Sequence, residues 1–490
     1  MRALLSVSDR EGITELTRGL QDAGIECVAT EETRAHLAEA EVTVAGIPDL
    51  ADPALLRSVS ARRAGQDVGP GEAAQGADAM DIVVVNLAAP GDDIGPDDLA
   101  ALAILRAAAA NHEWVAAVSS PTQYATVLRD IKRDQAVAPE TRHKLAADAF
   151  ALTAAHDAQV ASAINRQTGT LFPSRLTLVF EKKADLRYGE NPQQQAAFYA
   201  DANHPGAVIS QARQIAGKDL SFNNLLDLDA AWRIASDFKT PTVTIVKHGN
   251  PTGLASVVDL AEAFRLALEG DSVAAYGGII GANRMVDEPT ARAIEPGFFE
   301  AIVAPGYTPE ALAILGAKDG FEIVEVPAAE DDGTNPGSGA LDLKRIGGGL
   351  LVQTEDSMEE DRNKLQVVTE RGPTLEELTD LLFAWRAVRH VRSNAVVLTK
   401  RHVMIGMGAG QPSRVVSVEI ALRKAGERAP LSVMASDAYF PFPDGIQIAA
   451  QAGVTAIIQP GGSVRDEMAI EVADRHHMAM VFTGRRHFRH

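Results

Sequence analysis

The segment Thr244–Gly253, TIVKHGNPTG, carries the residue pair best suited to moving a proton. An apolar run, Val243–Val246, reads as a buried strand that delivers Lys247 and His248 into an Asn250-Pro251 turn. Imidazole titrates near neutral pH and here sits beside an ammonium, so the two can serve as an acid–base pair. The same dipeptide also reads as a solvated loop. Arg187–Tyr199, RYGENPQQQAAFY, sets a cation, Tyr188 and several amides beside a Gly189/Asn191-Pro192 turn, which is either a binding loop or a plain turn. Gly406–Arg414, GMGAGQPSR, has glycines that can turn backbone N–H groups toward an anion, with Arg414 adding charge. Such turns are frequent, so this signal is weak by itself. Ser436–Gly445, SDAYFPFPDG, sets Tyr439, Phe440 and Phe442 around two prolines ahead of Asp444. It reads as an aromatic clamp for a flat heterocycle or as part of the core. The ending GRRHFRH groups Arg485, Arg486, His487, Arg489 and His490, a solvated tail or an anion site. Gly217-Lys218-Asp219 is no Walker A lysine, because Ala212 replaces the earlier glycine and Asp219 the magnesium-binding hydroxyl.

The elements that must carry these groups alternate. Arg2–Ser6 reads as a strand, followed by a helix with Ile13, Leu16 and Leu20 at helical spacing and N-cap candidates Ser8 and Asp9. Gly24 ends that helix, and Ile25–Ala29 and Asp81–Leu87 are further strands. Leu99–Asn111 and Glu140–Arg166 read as helices. The alternation predicts an α/β fold with a parallel sheet. Residues 62–78 and 328–339 lack hydrophobic period and read as loops. No short tandem repeat is visible.

Composition removes several classes. The chain has 490 residues, enough for two to four domains. One cysteine, Cys27, excludes a disulfide framework and Cys-ligated zinc or iron–sulfur sites. The start MRALLSVSDREG has no apolar signal region, and no run is long enough to span a membrane, so a cytoplasmic enzyme without membrane contact is expected. A net charge of −20 disfavours nucleic acid. An anionic substrate therefore needs a locally basic site.

RYGENPQQ, KDLSFNNLLD, VKHGNPTG, AYGGIIGANR, LDLKRIGGGLL, RSNAVVLTK, GMGAGQPSR, SDAYFPFPDG and the RRHFRH ending occur in the order seen in one family. The chain resembles the bifunctional purine-biosynthesis proteins that combine AICAR transformylase with IMP cyclohydrolase. The likeness is dense from Leu186 to His490. It implies an N-terminal methylglyoxal-synthase-like parallel-sheet domain at residues 1–170. A cytidine-deaminase-like transformylase region, of two subdomains, is implied at 171–490. The implied reaction passes a formyl group from 10-formyltetrahydrofolate, a co-substrate, to the 5-amino group of AICAR, with no transition metal. Lys247, His248 and Asn394 correspond to the reacting centre. Arg187, Tyr188 and Arg414 match nucleotide-contacting positions, and Asn223 or Asn224 and Tyr276 are expected near the ligands. Phe442 and Asp444 belong to the implied folate pocket, and Arg486 and His490 match the family ending. A homodimer is implied.

The N-terminal part departs from this pattern. SVSDREG and RAAAANH match the family, but its S-[GT]-G-G-T turn reads Ala29-Thr30-Glu31-Glu32-Thr33, placing carboxylates where glycines would admit a phosphate. The RVKTLHP motif is absent, NLYPF has become Asn86-Leu87-Ala88-Ala89-Pro90, the helix lysine is Ala110, and paired glycines are Ala100 and Ala101. Asp98 remains. The expectation is a formyltransferase that has lost cyclohydrolase activity, so that a separate IMP cyclohydrolase consumes formyl-AICAR. The alternatives are a fully bifunctional enzyme and a non-catalytic purine-nucleotide or folate-binding relative. The single Cys27, remote from any His-x-Glu motif, argues strongly against a third alternative, a zinc deaminase.

Overall fold

The computed structural model describes residues 1–47, 49–61, 79–87, 96–201, 207–327, 341–356 and 362–490. The expected loops at 62–78 and 328–339, and Ala88-Ala89-Pro90, lie outside the described residues. The chain forms two compact units, Met1–Val179 and Phe180–His490.

The first unit runs β1 (Arg2–Ser6), α1 (Ile13–Asp22), β2 (Glu26–Ala29), α2 (Glu31–Glu39), β3 (Ala45–Gly46), α3 (Pro53–Ser60), β4 (Ile82–Val85), α4 (Pro96–Ala110), β5 (Ala116–Val118), α5 (Tyr124–Asp134) and α6 (Pro139–Gln167). Its five strands pair in parallel in the order β3-β2-β1-β4-β5. The continuous apolar runs Ala3-Leu4-Leu5 and Ile82–Val85 are buried on both faces, as a parallel sheet between helices requires. Ile13, Leu16 and Leu20 line the buried face of α1. The helix start differs from the expectation. Gly12, at φ 67°, precedes α1 without a side-chain cap. Ser8 and Asp9 instead donate their backbone N–H groups to Asn86 Oδ1 at 2.6 and 2.9 Å, tying the turn to the end of β4.

The second unit opens with a hairpin, β6 (Phe180–Leu186) and β7 (Ala196–Asp201). Then follow β8 (Arg213–Ala216), α7 (Phe222–Ser236), β9 (Thr242–Lys247), β10 (Asn250–Ser256), α8 (Leu260–Gly270), β11 (Ile279–Ala282), α9 (Glu288–Ile294), β12 (Ala301–Ala304), α10 (Pro309–Gly316) and β13 (Glu322–Glu325). A second hairpin, β14 (Leu341–Ile346) and β15 (Gly349–Thr354), intervenes. The series then repeats as β16 (Gln366–Val367), α11 (Leu375–Val388), β17 (Val396–Lys400), β18 (Val403–Gly408), α12 (Arg414–Ala425), β19 (Val433–Ser436), α13 (Asp444–Gln451), β20 (Ala456–Gln459), α14 (Asp466–Arg475) and β21 (Ala479–Phe482).

One 12-stranded mixed sheet results, ordered β16-β21-β20-β19-β17-β18-β10-β9-β11-β12-β13-β8. The two six-stranded halves have the same strand senses and meet where β10 runs antiparallel to β18. This is a duplication at domain scale, which a search for short tandem repeats misses. Apolar clusters cover both faces, one around Phe264, Phe299 and Phe440, the other around Trp232, Phe383 and Trp385.

Candidate active site

The start of α7 organises the site. Ser221 and Asn224 form a capping box, with Ser221 N–H donating to Asn224 Oδ1 at 3.0 Å and Asn224 N–H to Ser221 Oγ at 3.1 Å. Asn224 is 6% exposed, and its Nδ2 donates to Glu300 Oε2 at 2.9 Å. Of the two expected asparagines, Asn224 is therefore spent internally. Asn223 faces outward and reaches the Glu190 carbonyl of the RYGENP turn at 3.4 Å. One helical turn later, Asp227 accepts the backbone N–H groups of His248 at 2.9 Å and Gly249 at 2.6 Å.

His248 and Gly249 form the two-residue turn of the β9–β10 hairpin, closed by the Lys247↔Asn250 pair. Both are left-handed, at φ 54° and 70°, as a type I′ turn demands. Lys247 Nζ donates to the Tyr276 carbonyl at 2.5 Å. The Tyr276 ring is 64% exposed and packs on Phe298 with centroids 4.8 Å apart. Asn250 Oδ1 accepts the Arg392 N–H at 3.3 Å, drawing the Arg392-Ser393-Asn394 segment against the hairpin. Arg187 stacks over Tyr188 in the adjoining exposed turn, at 5.0 Å from the ring centroid.

Asn394 and Arg414 are less free than their sequence context suggests. Asn394 Nδ2 donates to the carbonyls of Gln411 at 2.8 Å and Pro412 at 3.1 Å, and its Oδ1 accepts from Arg414 Nη2 at 2.7 Å. Arg414 is only 7% exposed; Nη1 binds Ser436 Oγ at 2.7 Å and the buried Asp437 carboxylate. Burying a guanidinium is costly without a paired carboxylate, which explains this arrangement. Arg414 thus differs from the anion-facing cation expected. It braces the glycine turn against β19. In SDAYFPFPDG, Phe440 is 2% exposed and belongs to the core, whereas Phe442 is 53% exposed and Tyr439 is also exposed. Asp444 is exposed at the start of α13.

The C-terminal tail closes the same edge. His487 N–H donates to the Asp437 carbonyl at 2.9 Å, and Ser393 N–H to the Arg489 carbonyl at 2.9 Å. Arg486 lies over Phe488, 4.7 Å from the centroid, and the His490 carbonyl accepts from Lys344 Nζ at 3.3 Å. Hydrogen bonds therefore link the RYGENP turn, α7, the Lys247-His248 hairpin, Asn394, the glycine turn and the tail.

Besides Asp227, two features escaped the sequence reading. Arg465 lies over Phe442, 4.4 Å from the centroid. Its signal was the Gly461-Gly462-Ser463 turn ahead of it, with left-handed Gly461 and Gly462. Glu322, at the start of β13, is 7% exposed and its Oε2 has no hydrogen-bond partner. Burial first, then the neighbouring Glu300 carboxylate, push its carboxyl up to about 7, against the pull of Lys218. No spacing marks it, because β13 reads Glu-Ile-Val-Glu and the sequence does not tell the buried Glu322 from the half-buried Glu325.

In the first unit, Glu31 and Glu32 occupy the first turn of α2 and Glu31 pairs with Arg34 at 2.6 Å. These carboxylates already complement the helix N-terminus and repel a further anion. Arg106, from the RAAAANH segment, pairs with Asp157. Among the described residues, no cluster of three or more His, Cys, Asp or Glu could hold a metal ion. Among them no helix is long and apolar enough to cross a membrane.

Residues 108–424 match the family model described as AICARFT/IMPCHase bienzyme. Proteins described as "Bifunctional purine biosynthesis protein PurH" from Bacillus cereus (strain AH820) and Bacillus anthracis are 42% identical over 513 residues, covering 100% of this chain and 99% of theirs. A solved structure described as "Crystal structure of ForH" aligns with a TM-score of 0.29 and 29% identity, over 34% of this chain and 98% of its own. Full-length identity at this level, together with the family model, places the chain among enzymes of purine biosynthesis, and it belongs to the AICARFT/IMPCHase bienzyme family.

Proposed function

We propose that the second unit transfers the formyl group of 10-formyltetrahydrofolate to AICAR, and that the first unit is a cyclohydrolase-like domain without cyclohydrolase activity. The single observation that carries the transferase reading is the hairpin turn that presents Lys247 and His248 beside the Arg392–Asn394 segment. The AICAR amine is conjugated with an imidazole carboxamide and is a poor nucleophile. As its nitrogen bonds to the formyl carbon it must lose a proton, and His248, exposed on the turn, is the base. General-base catalysis of this kind supplies about 10²–10⁴-fold. The tetrahedral intermediate carries an oxyanion. The Asn394 amide is already committed to two carbonyls, whereas Lys247 has three donors and one carbonyl partner. Lys247 is therefore the oxyanion donor, a contribution of about 3 kcal/mol. Collapse breaks the bond from the formyl carbon to the folate nitrogen, which takes up a proton and leaves as tetrahydrofolate.

Arg187, Tyr188, Asn223 and Arg486 are the outward-facing groups proposed to hold AICAR. Tyr276, Phe442 and Asp444 are proposed to hold the folate rings. His490 closes the tail. The enzyme is proposed to be cytoplasmic and a homodimer. Exposed apolar side chains on the two hairpins, Phe180, Tyr199, Ile346, Leu350 and Leu351, support a covered surface there. The proposed loss of cyclohydrolase is supported by Glu31 and Glu32 in place of the turn glycines, by Ala110 in place of the helix lysine, by Ala88 in place of the NLYPF tyrosine and by the missing RVKTLHP motif, and it requires another enzyme to consume formyl-AICAR. A second reading, a fully bifunctional enzyme, is favoured by the 42% identity to relatives described as bifunctional. His248→Ala tests the transferase reading. Tetrahydrofolate release should fall by about 10²-fold or more. An unchanged rate contradicts the assignment.

A further inference from the structure

We infer that Asp227 is the positioning residue that sets His248 for proton abstraction, an inference that rests on the formyl-transfer reading. His248 is not glycine, yet it holds φ 54°. That conformation crowds Cβ against the backbone and is unfavourable for an L-residue. The two N–H groups at the tip of a hairpin turn also have no strand partner. Asp227 answers both problems from α7. Its Oδ2 accepts from His248 N–H at 2.9 Å and its Oδ1 from Gly249 N–H at 2.6 Å. Hydrogen bonds to a carboxylate are the stronger kind, and two of them on adjacent amides fix the orientation of both peptide planes. The Cα–Cβ direction of His248, and with it the imidazole, follows from those planes. Asp227 touches no reacting atom in this account. It acts through the turn.

The duplicated half contains the same device without the chemistry. In α11, Asp380 accepts from Arg401 N–H at 2.8 Å and His402 N–H at 2.7 Å. Arg401 and His402 form the turn of the β17–β18 hairpin at φ 54° and 57°. The agreement extends to the flanks. Thr374 and Glu377 cap α11 as Ser221 and Asn224 cap α7. Lys400 Nζ donates to the Pro430 carbonyl at 2.9 Å, as Lys247 Nζ donates to that of Tyr276. The second turn presents Arg401 where the first presents His248, and Asn394, Arg414 and the tail do not hydrogen-bond to it. Asp380 is thus an internal control. It meets the same structural demand at a turn that has no place in the proposed mechanism.

Asp227→Asn and Asp380→Asn separate structure from positioning. An amide of the same shape keeps one acceptor oxygen but turns its NH2 toward the second N–H, so one bond is lost in each variant. Both variants should unfold at similarly lowered denaturant concentration. Only Asp227→Asn should lose kcat, by about 10²-fold, with the KM for AICAR within about threefold. Asp380→Asn should keep kcat within about twofold. Equal kcat losses in the two variants, or an Asp227→Asn enzyme with unaltered kcat, would overturn the inference.

Amide hydrogen exchange on the unmodified protein gives a reading that needs no variant to fold. The His248 and Gly249 amides should be protected although they sit at a hairpin tip; rapid exchange in an active enzyme overturns the positioning role alone. Absence of formyl transfer with protected amides overturns the transferase reading while supporting the role of Asp227 in holding the turn.

Discussion

Glu322→Gln should stabilise the protein at alkaline pH and leave it nearly unchanged at acid pH. The Glu322 carboxyl is buried, lacks a partner at Oε2 and faces Glu300, so its ionisation is displaced from 4.5 to about 7. A raised carboxyl pKa means that the folded state holds a proton the unfolded chain has released. The associated stability is full below the unfolded value, near 4.5, and is lost as pH rises through about 7. With 1.36 kcal/mol per pKa unit, the ionised, buried form costs about 3 kcal/mol at pH 8. Glutamine keeps the shape without the charge and removes that cost. Urea unfolding of the two proteins at pH 5 and pH 8, followed by Trp232 and Trp385 fluorescence, reads the difference. Other titrating groups cancel between wild type and variant. The expected gap is a few kcal/mol at pH 8 and close to zero at pH 5. A gap of the same size at both pH values, or a less stable variant at pH 8, refutes the reasoning.

Asp237 at the end of α7 bonds His390 Nε2 at 2.8 Å and the Arg389 guanidinium. Burial would raise its pKa, but these hydrogen bonds and charges outweigh it and hold the carboxyl well below the usual range. Asp237→Ala removes the carboxylate that Arg389 and His390 share in a largely buried cluster, and urea unfolding at pH 7 should show a loss of about 3–5 kcal/mol. Because the Asp237 pKa is lowered, the loss should shrink as pH falls below the unfolded value of about 4. Burial also lowers the His390 pKa, so the unfolded chain takes up this proton more readily and the fold loses stability as pH falls below the ordinary histidine value of 6.5. In the first unit, replacing Glu31 and Glu32 by glycine removes two carboxylates from a helix N-terminus. Inosine monophosphate binding, read by calorimetry, should tighten by about tenfold, from roughly 0.7 kcal/mol per charge. No change would mean that these carboxylates are not what excludes phosphate.

Much of the placement of the candidate residues was legible because they sit on local punctuation. The Val243–Val246 run and the following turn place Lys247 and His248 at a strand end, and the structure has β9 ending at Lys247. The long helix expected at Glu140–Arg166 is α6, Pro139–Gln167, because its apolar residues recur over many turns. What remained hidden depends on packing. Asn224 and Arg414 carry the right groups at the right spacing, yet capping and a buried carboxylate consume them. Phe440 and Phe442 are two residues apart, and only the sheet decides that one is core and the other exposed. The duplication was invisible because its halves share roles more than letters. Asp227 and Asp380, and Lys247 and Lys400, are conspicuous only once both hairpins are seen.

The most direct test of the central claim mixes the purified protein with AICAR and 10-formyltetrahydrofolate and follows tetrahydrofolate, formyl-AICAR and IMP separately. Tetrahydrofolate and formyl-AICAR should appear together, with no IMP above the uncatalysed rate. IMP formed at a catalysed rate would contradict the loss of cyclohydrolase, and absence of tetrahydrofolate would contradict the assignment of Lys247 and His248.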